Sequence, residues 1–217
     1  MAFLKRRLSS SSHSHPLLNP EHIARQLEQL QNVRSVWVAL SGGRDSTVLL
    51  DLCADLRAQL PLSVKAVHIH HGLQSIADQW VEHCQNLCRG YDIPLAIHSV
   101  NATASRGQSP EEAARDARYR VFNSLIGKGD LLMMAHHQDD QAETVLLQML
   151  RGAGLEGISG MPEMSAIGGG LLLRPLLQFD AGQLLDYAKF KKLEWIEDPS
   201  NQDSRFDRNY LRHRIMP

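Results

Sequence analysis

The sequence lacks most of the features that would place a protein in a membrane or outside the cell. No apolar run approaches the roughly 20 residues that a membrane-spanning helix needs. Lys5, Arg6 and Arg7 open the chain, but Ser9 to His15 is polar where a signal peptide requires an apolar core. Cysteine is scarce: Cys53, Cys84 and Cys88 are odd in number and fall in helical patterns, which fits reduced thiols in a cytoplasmic protein. Cys84 and Cys88 share a helix face, yet no further Cys or His with finger-like spacing accompanies them, which argues against a zinc site. An excess of one charge is also absent. A net charge of −1 and a pI near 6.8 exclude a broadly basic nucleic-acid coat, so any RNA contact must come from a local patch. The Gly-Lys-Ser/Thr ending of a Walker A loop, the GxGxxG fingerprint and internal repeats are all missing.

What is present is enough hydrophobic material, 43% of 217 residues, for one large α/β domain or one domain with an extension. Residues 35 to 50, SVWVALSGGRDSTVLL, organise the rest. Val36 to Leu40 reads as a short strand. It ends in Ser41-Gly42-Gly43-Arg44-Asp45-Ser46, and an apolar run of helical character follows at once. Gly42 and Gly43 let the backbone turn sharply and approach a ligand without a Cβ in the way. Ser41 and Ser46 add hydroxyls near a helix N-terminus, where the dipole favours an anion. The loop is therefore expected to grip phosphate or pyrophosphate; the alternative is a glycine-serine turn that binds nothing. The order Ser-Gly-Gly-x-Asp-Ser resembles the PP-loop of the N-type ATP pyrophosphatases. That resemblance implies cleavage of ATP between its α and β phosphates, with nucleotide contacts from Ser41, Gly42, Gly43, Arg44, Asp45 and Ser46.

Around this stretch, strand and helix patterns alternate. A serine- and histidine-rich tail over 1–19 is expected to be disordered, and Asn19-Pro20 then starts a helix over 20–34 with Ile23, Leu27 and Leu30 at helical spacing. Strand 35–40, helix 46–59, strand 62–70, helix 75–90 and strand 94–100 follow. After a polar loop come a helix opened by Pro110-Glu111-Glu112, strand 130–135 and helix 139–151. Leu171 to Leu173 suggests a fifth strand, 180–192 a helix, and 195–214 an irregular charged segment. This alternation predicts an α/β fold: a doubly wound, mainly parallel five-stranded sheet with a C-terminal helical or irregular extension, in one domain over 20–217. Ligands bind beyond the carboxyl ends of such strands. The polar clusters at 41–46, 68–73 and 136–143 all follow strands, so all three should face one cleft.

His136, Asp140 and Glu143 are spaced by four and three, which places them near one another at a strand end and the first turns of a helix. They either cap that helix or, with Asp139, hold a cationic amine or a magnesium ion opposite the phosphate loop. His68, His70 and His71 end a strand, with His68 and His70 on one face; with no acid or thiol suitably adjacent, they are expected to line the nucleotide cleft or cap the strand rather than bind zinc. Arg115 and Arg118 are candidates for phosphate or RNA, with a solvated helix face as the alternative for either. Arg205, Arg208, Arg212, His213 and Arg214, interleaved with Phe206 and Tyr210, form the one concentrated basic patch, suited to single-stranded RNA or to an amphipathic connecting helix.

Taken together, several stretches resemble the tRNA(Ile)-lysidine synthetase family. They are Ser41 to Ser46, His68 to Leu73 with Ala77-Asp78 and Trp80, Glu112 to Tyr119, Ala135 to Glu143, Arg151-Gly152-x-Gly154 with Gly160-Met161, Arg174 to Leu177, and Trp195 to Asn201 through Arg208-Asn209. The resemblance covers about 35 to 217 and is more specific than the loop alone. It implies an adenine nucleotide α-hydrolase-like, Rossmann-like fold and a cytoplasmic ligase that uses ATP and Mg2+. Such an enzyme adenylates C2 of the wobble cytidine in a CAU-anticodon tRNA(Ile); free lysine then attacks through its ε-amine, releasing AMP and leaving lysidine. In those terms Asp45 serves magnesium or phosphate geometry, Asp140 and Glu143 receive the lysine, His136 with Arg115 or Arg118 positions substrate, and His70 joins the nucleotide site. A homodimer is left open. Members of the family usually continue into C-terminal domains that grip the acceptor stem, so the resemblance implies that this chain, ending at Pro217, holds the catalytic domain alone.

Overall fold

In the computed structural model the described residues are 18–57, 62–70, 77–154, 158–199 and 207–216. The architecture follows from strand alternation around the central strand β1 (Ser35–Ala39). Val36 and Val38 are buried on one face, and Trp37 and Ala39 pack on the other. β1 pairs in parallel with β2 (Ser63–His70) on one side and β4 (Asp130–Met133) on the other. β3 (Leu95–Ser99) extends the sheet beyond β2, and a hairpin of β5 (Met164–Ile167) and β6 (Gly170–Leu173) extends it beyond β4. The resulting order is β3-β2-β1-β4-β6-β5, with only the β5–β6 pairing antiparallel.

The expected α/β fold with a mainly parallel sheet is present, with six strands among the described residues where five were expected. The additional strand is β5, which lacks a run of β-branched residues. The two-residue turn Gly168-Gly169 folds it back on β6, with Gly168 at a φ of 53°. A Cβ on Gly168 would lie 2.4 Å from Ile126 O, so only glycine fits this close approach.

One face of the sheet is covered by α1 (Pro20–Glu28), α2 (Arg44–Arg57), α3 (Ala77–Gly90) and α6 (Ala181–Phe190), and the other by α4 (Pro110–Leu125). Each helix start has a local cause. Asn19 caps α1, its side chain accepting the His22 N–H at 3.2 Å with Pro20 in the first turn; Ser109 caps α4 in the same way through the Glu112 N–H. Of the tail expected over 1–19, all but the last two residues lie outside the described residues; Leu18 is buried and Asn19 forms this cap. α1 stops at Glu28, short of the expected 34, because Asn32 turns to a φ of 66° and Arg34 N–H donates to Gly129 O. α2 is buried nearly all round, and its Leu49 is fully buried, a contribution of roughly 2 to 3 kcal/mol on transfer from water.

Sequential connections step from β1 to β2 to β3, after which α4 carries the chain back across to β4 on the far side of β1. The neighbours β1 and β4 therefore send their chains apart, which opens a crevice between their carboxyl ends. The loop 40–43 leaves one of these strands and the segment 134–137 leaves the other. Beyond the sheet, α5 (Gln138–Leu150) is followed, near the end of the chain, by α7 (Asp207–Tyr210) and a π-helical turn, Leu211–Ile215; residues 195–198 are irregular as expected, whereas 207–214 are helical. Asp207 near Arg151 and Arg212 on Glu143 show α7 and this turn running antiparallel to α5.

Candidate active site

The glycine loop turns at Gly42, whose φ of 90° is left-handed and whose missing Cβ would stand 3.1 Å from Cys84 Sγ. Inside the loop Ser46 Oγ donates to Gly43 O at 3.0 Å, and Ser41 N–H donates to Ser46 Oγ at 3.2 Å. From outside, Ile196 N–H donates to Gly42 O at 3.0 Å. α2 thus begins with its N-terminal turn at the crevice and Asp45 in that turn.

A cleft of about 610 Å³ opens there. Ser41, Asp45 and Ser46 line it from the loop, His68 and His70 from β2, and Trp80 from α3. Gly42, Gly43 and Arg44 do not line it; Arg44 Nε instead donates to Asp45 Oδ1 at 2.7 Å. His68 Nδ1 lies 2.8 Å from Leu40 O, and His70 Nε2 lies 3.4 Å from the Asp78 carboxylate. His71 to Leu73 of the expected cluster lie outside the described residues.

The acidic wall forms beside the cleft, where β4 gives way to α5. His137, buried just before the helix, stands among three carboxylates. Its Nε2 is 3.6 Å from Asp45 Oδ2 and 3.5 Å from Asp140 Oδ2, and its Nδ1 is 3.4 Å from Asp139 Oδ2. Burial pulls the His137 pKa down, but Asp45, Asp140 and Asp139 outweigh it and hold it above its ordinary value. Burial raises the Asp45 pKa, and His137 and Arg44 outweigh that effect, keeping it low. Asp140 accepts the His137 backbone N–H at 3.0 Å. Glu143 is wholly buried and accepts Arg212 Nε at 2.6 Å, while Arg212 Nη2 lies 3.4 Å from Asp140 Oδ1. Burial pushes the Glu143 carboxyl up, opposed by Arg212. The two carboxylates therefore already hold a cationic side chain, at a place one imidazole away from the glycine loop.

His136 does not join them, a correction to the expected grouping. α5 begins at Gln138, so helical spacing does not extend back to His136; it lies in the segment between β4 and α5, and its ring turns to a different side from that of His137. There it meets arginines. Burial, then Arg174, Arg118, Arg208 and Arg115, lower its pKa to about 3 and keep the ring neutral. Arg118 lines the cleft; Arg115 is exposed, stacked 5.1 Å over the Tyr119 ring, and does not line it. Arg174 is buried at 4% exposure, donating to Pro162 O at 2.7 Å and to the Tyr119 hydroxyl at 3.4 Å. Arg208 donates to Thr144 Oγ1 at 3.1 Å. Among the described residues, His136 Nδ1 and the Nε atoms of Arg118 and Arg174 have no hydrogen-bond partner. Arg118, Arg208 and Arg212 give the cleft a basic side, whereas His137, Asp139, Asp140 and Glu143 do not line it and adjoin it through Asp45 and Arg212, which do. Of the basic patch expected in the tail, Arg208 and Arg212 line the cleft, whereas Arg205 and Phe206 lie outside the described residues.

Among the described residues no group of three or more His, Cys, Asp or Glu is arranged to hold a metal ion. Asp45 presents one carboxylate at the loop, a donor set that suits Mg2+ drawing its other ligands from phosphates and water. All three cysteines are buried, and burial pushes the thiols of Cys53 and Cys84 up to about 12 and that of Cys88 to about 11. No helix among the described residues is long and apolar enough to cross a membrane.

A family model described as the PP-loop domain matches residues 19–217. The chain belongs to the PP-loop family. Within it, the chain is similar to proteins named tRNA(Ile)-lysidine synthase. The one from Pseudomonas aeruginosa is 54% identical over 181 residues, 83% of this chain and 40% of that protein; the one from Pseudomonas syringae pv. tomato is 45% identical over 211 residues, 96% of this chain and 46% of that protein. The chain thus spans less than half the length of these relatives. Among solved structures, the U34-tRNA thiolase NcsA from Methanococcus maripaludis, with its [4Fe-4S] cluster, superposes with a TM-score of 0.69 at 16% identity, covering 88% of this chain and 75% of that one. At that identity the likeness shows the fold alone.

For this PP-loop protein, reading the residues missed His137, Arg174 and the approach of Arg212 to the acids. His137 had a signal, since only one ring of a His-His pair leaving a strand can face each side of the sheet. The contact of Arg212 joins residues far apart in sequence, and no local pattern announces it.

Proposed function

We propose that this chain carries the catalytic centre of a tRNA(Ile)-lysidine synthase, a carbon–nitrogen ligase that joins free lysine to C2 of the wobble cytidine of a CAU-anticodon tRNA(Ile). The observation that carries the reading is the acid pair Asp140 and Glu143, holding a guanidinium at 3.4 Å and 2.6 Å respectively, one imidazole away from the loop carboxylate Asp45. A site that already binds a cation beside a phosphate-gripping loop suits a reaction joining a nucleotide to an amine. The names of the relatives support the same choice.

The loop would seat the triphosphate of ATP at the N-terminus of α2 through Ser41 and Ser46, which line the cleft, with Gly42 and Gly43 supplying the turn that brings them there. Bound Mg2+, held by Asp45 and phosphate oxygens, would neutralise charge on the departing pyrophosphate. The cytidine C2 oxygen attacks the α-phosphorus as the bond to pyrophosphate breaks, and the carbonyl oxygen becomes a good leaving group as an AMP ester. Lysine arrives as an ammonium and cannot attack until it loses a proton. The ammonium would take the place of Arg212 against Asp140 and Glu143, with the raised pKa of Glu143 suiting it to accept that proton. The neutral amine then bonds to C2 as the C–O bond breaks and AMP departs. The arginine side of the cleft, Arg118 and Arg208, would receive phosphates of the nucleotide or the tRNA.

A sulfur-transferring enzyme of the same fold would need reactive thiols. The cysteines here are buried in helices, and their raised pKa values keep them protonated. A nucleotide sensor without turnover predicts ATP binding but no tRNA-dependent release of pyrophosphate. Incubation with ATP, labelled lysine and the CAU-anticodon tRNA decides among the three: label in the RNA is expected, and its absence rejects lysidine formation.

A further inference from the structure

α2 is buried on almost every side, so a carboxylate in its middle has to be paired. Asp51, at 5% exposure, has three donors. The Tyr91 hydroxyl donates to its Oδ1 at 2.8 Å, the Tyr187 hydroxyl donates to its Oδ2 at 2.7 Å, and Lys191 Nζ stands 3.4 Å from Oδ2. Lys191 also bonds Asp55, one turn further along the same face of α2, at 2.9 Å. Two of these donors, Tyr187 and Lys191, belong to α6 or its C-terminal cap, whereas Tyr91 comes from the turn after α3.

α6 and the segment that follows it reach both the acids and the glycine loop. At its start, Ala181 N–H donates to Asp139 Oδ2 at 2.7 Å, and Asp139 flanks His137 of the acidic wall. Beyond its end, Ile196 N–H donates to Gly42 O in the glycine loop at 3.0 Å. The helix that starts at the acids, and whose following segment reaches the phosphate loop, is thus bolted to α2 through one buried carboxylate. Neither Asp51 nor its donors line the cleft.

We infer that Asp51 is a positioning residue that sets the gap between the phosphate loop and the acidic wall by locking α6 to α2 through Tyr187 and Lys191. Tyr91 shares the same carboxylate but has no part in this, since its backbone carbonyl is independently held on α2 by Arg57 at 2.9 Å. The inference rests on the proposed reaction only for its kinetic consequence.

The matched pair Tyr187→Phe and Tyr91→Phe tests it, because each removes one hydroxyl from the same carboxylate. In the whole chain, Tyr187→Phe is expected to speed amide exchange at Ala181 and Ile196 roughly tenfold, leaving Tyr91→Phe like the parent. With ATP, lysine and tRNA, kcat should fall roughly tenfold or more for Tyr187→Phe alone, at a KM for ATP within about twofold, as for a misplacement of two correctly bound partners. Equal exchange at both amides in the two variants overturns the inference, and so does an equal loss of kcat. If the parent itself forms no product, the functional reading fails, and exchange at Ala181 and Ile196 alone decides whether the lock exists.

Discussion

Two helices leave the crevice side by side in function but not in packing. α2, which carries Asp45, buries nine of its fourteen residues; α5, which carries Asp140 and Glu143, buries only Glu143 of thirteen. Their sequences do not announce the contrast, since α5 contains Val145, Leu146, Leu147, Met149 and Leu150. The difference is positional. α2 lies sandwiched between the sheet and α1 and α6, whereas α5 is held at its edges by polar contacts. Gln138 N–H donates to Phe179 O at 2.8 Å, the Gln141 amide exchanges two bonds with Met161 at 2.7 and 2.6 Å, and Arg212 reaches Glu143. Such bonds contribute on the order of 1 kcal/mol each, against several for a buried leucine. The phosphate side of the site is thus built into the core, and the acid side is pinned to it from outside.

The largest test of that contrast is a leucine removed from each helix. Leu49→Ala in α2 should cost roughly 3 to 5 kcal/mol of stability by urea titration, since a fully buried side chain leaves a cavity. Leu150→Ala in α5, at 73% exposure, should change stability by less than about 0.5 kcal/mol. Comparable losses would mean that α5 is as much a core helix as α2.

Function should divide along the same line. Asp45→Ala is expected to lower tRNA-dependent pyrophosphate release by roughly a hundredfold to a thousandfold, with the circular dichroism spectrum unchanged, because it removes the charge at the phosphate loop and no core packing. Unaltered release would contradict the role given to Asp45. Asp140→Ala is expected to have a smaller effect, weakening lysine use roughly tenfold to a hundredfold while adenylation of the tRNA is partly retained. Equal loss of both half-reactions would erase the distinction between the two helices.

The same contrast explains what could be read from the residues. The α2 side is written locally: the Ser41 to Ser46 loop, the alternation of β1 and the helical run after it each specify their own conformation, and the structure realises all three. The α5 side depends on contacts between distant segments. The order HHQDD shows acids at a helix start but not which histidine faces them, because that depends on where the strand stops and the helix begins. Glu143 could be named as a site residue, yet its partner Arg212 comes from the far end of the chain. β5 was missed for a similar reason, its place being fixed by a glycine turn packed on α4 rather than by its own composition.

The misplaced histidine supplies the smallest test. His136 sits on the basic side, where burial and the facing arginines Arg174, Arg118, Arg208 and Arg115 lower its pKa to about 3, while in the unfolded chain it titrates at an ordinary value near 6.5. Between those values the unfolded state binds a proton that the folded state does not. Stability from this group is therefore fully present above about pH 6.5 and is lost as pH falls toward 3, with a slope of at most one proton. From pH 6.5 to 5.5 the loss should be on the order of 1 kcal/mol in the parent and absent from His136→Gln, read as the difference between their urea midpoints at each pH. Had His136 instead stood among Asp140 and Glu143, the carboxylates would raise its pKa and the difference would change sign, with the parent gaining on the variant as pH falls. The sign of that difference therefore reports directly whether this ring faces the arginines or the acids.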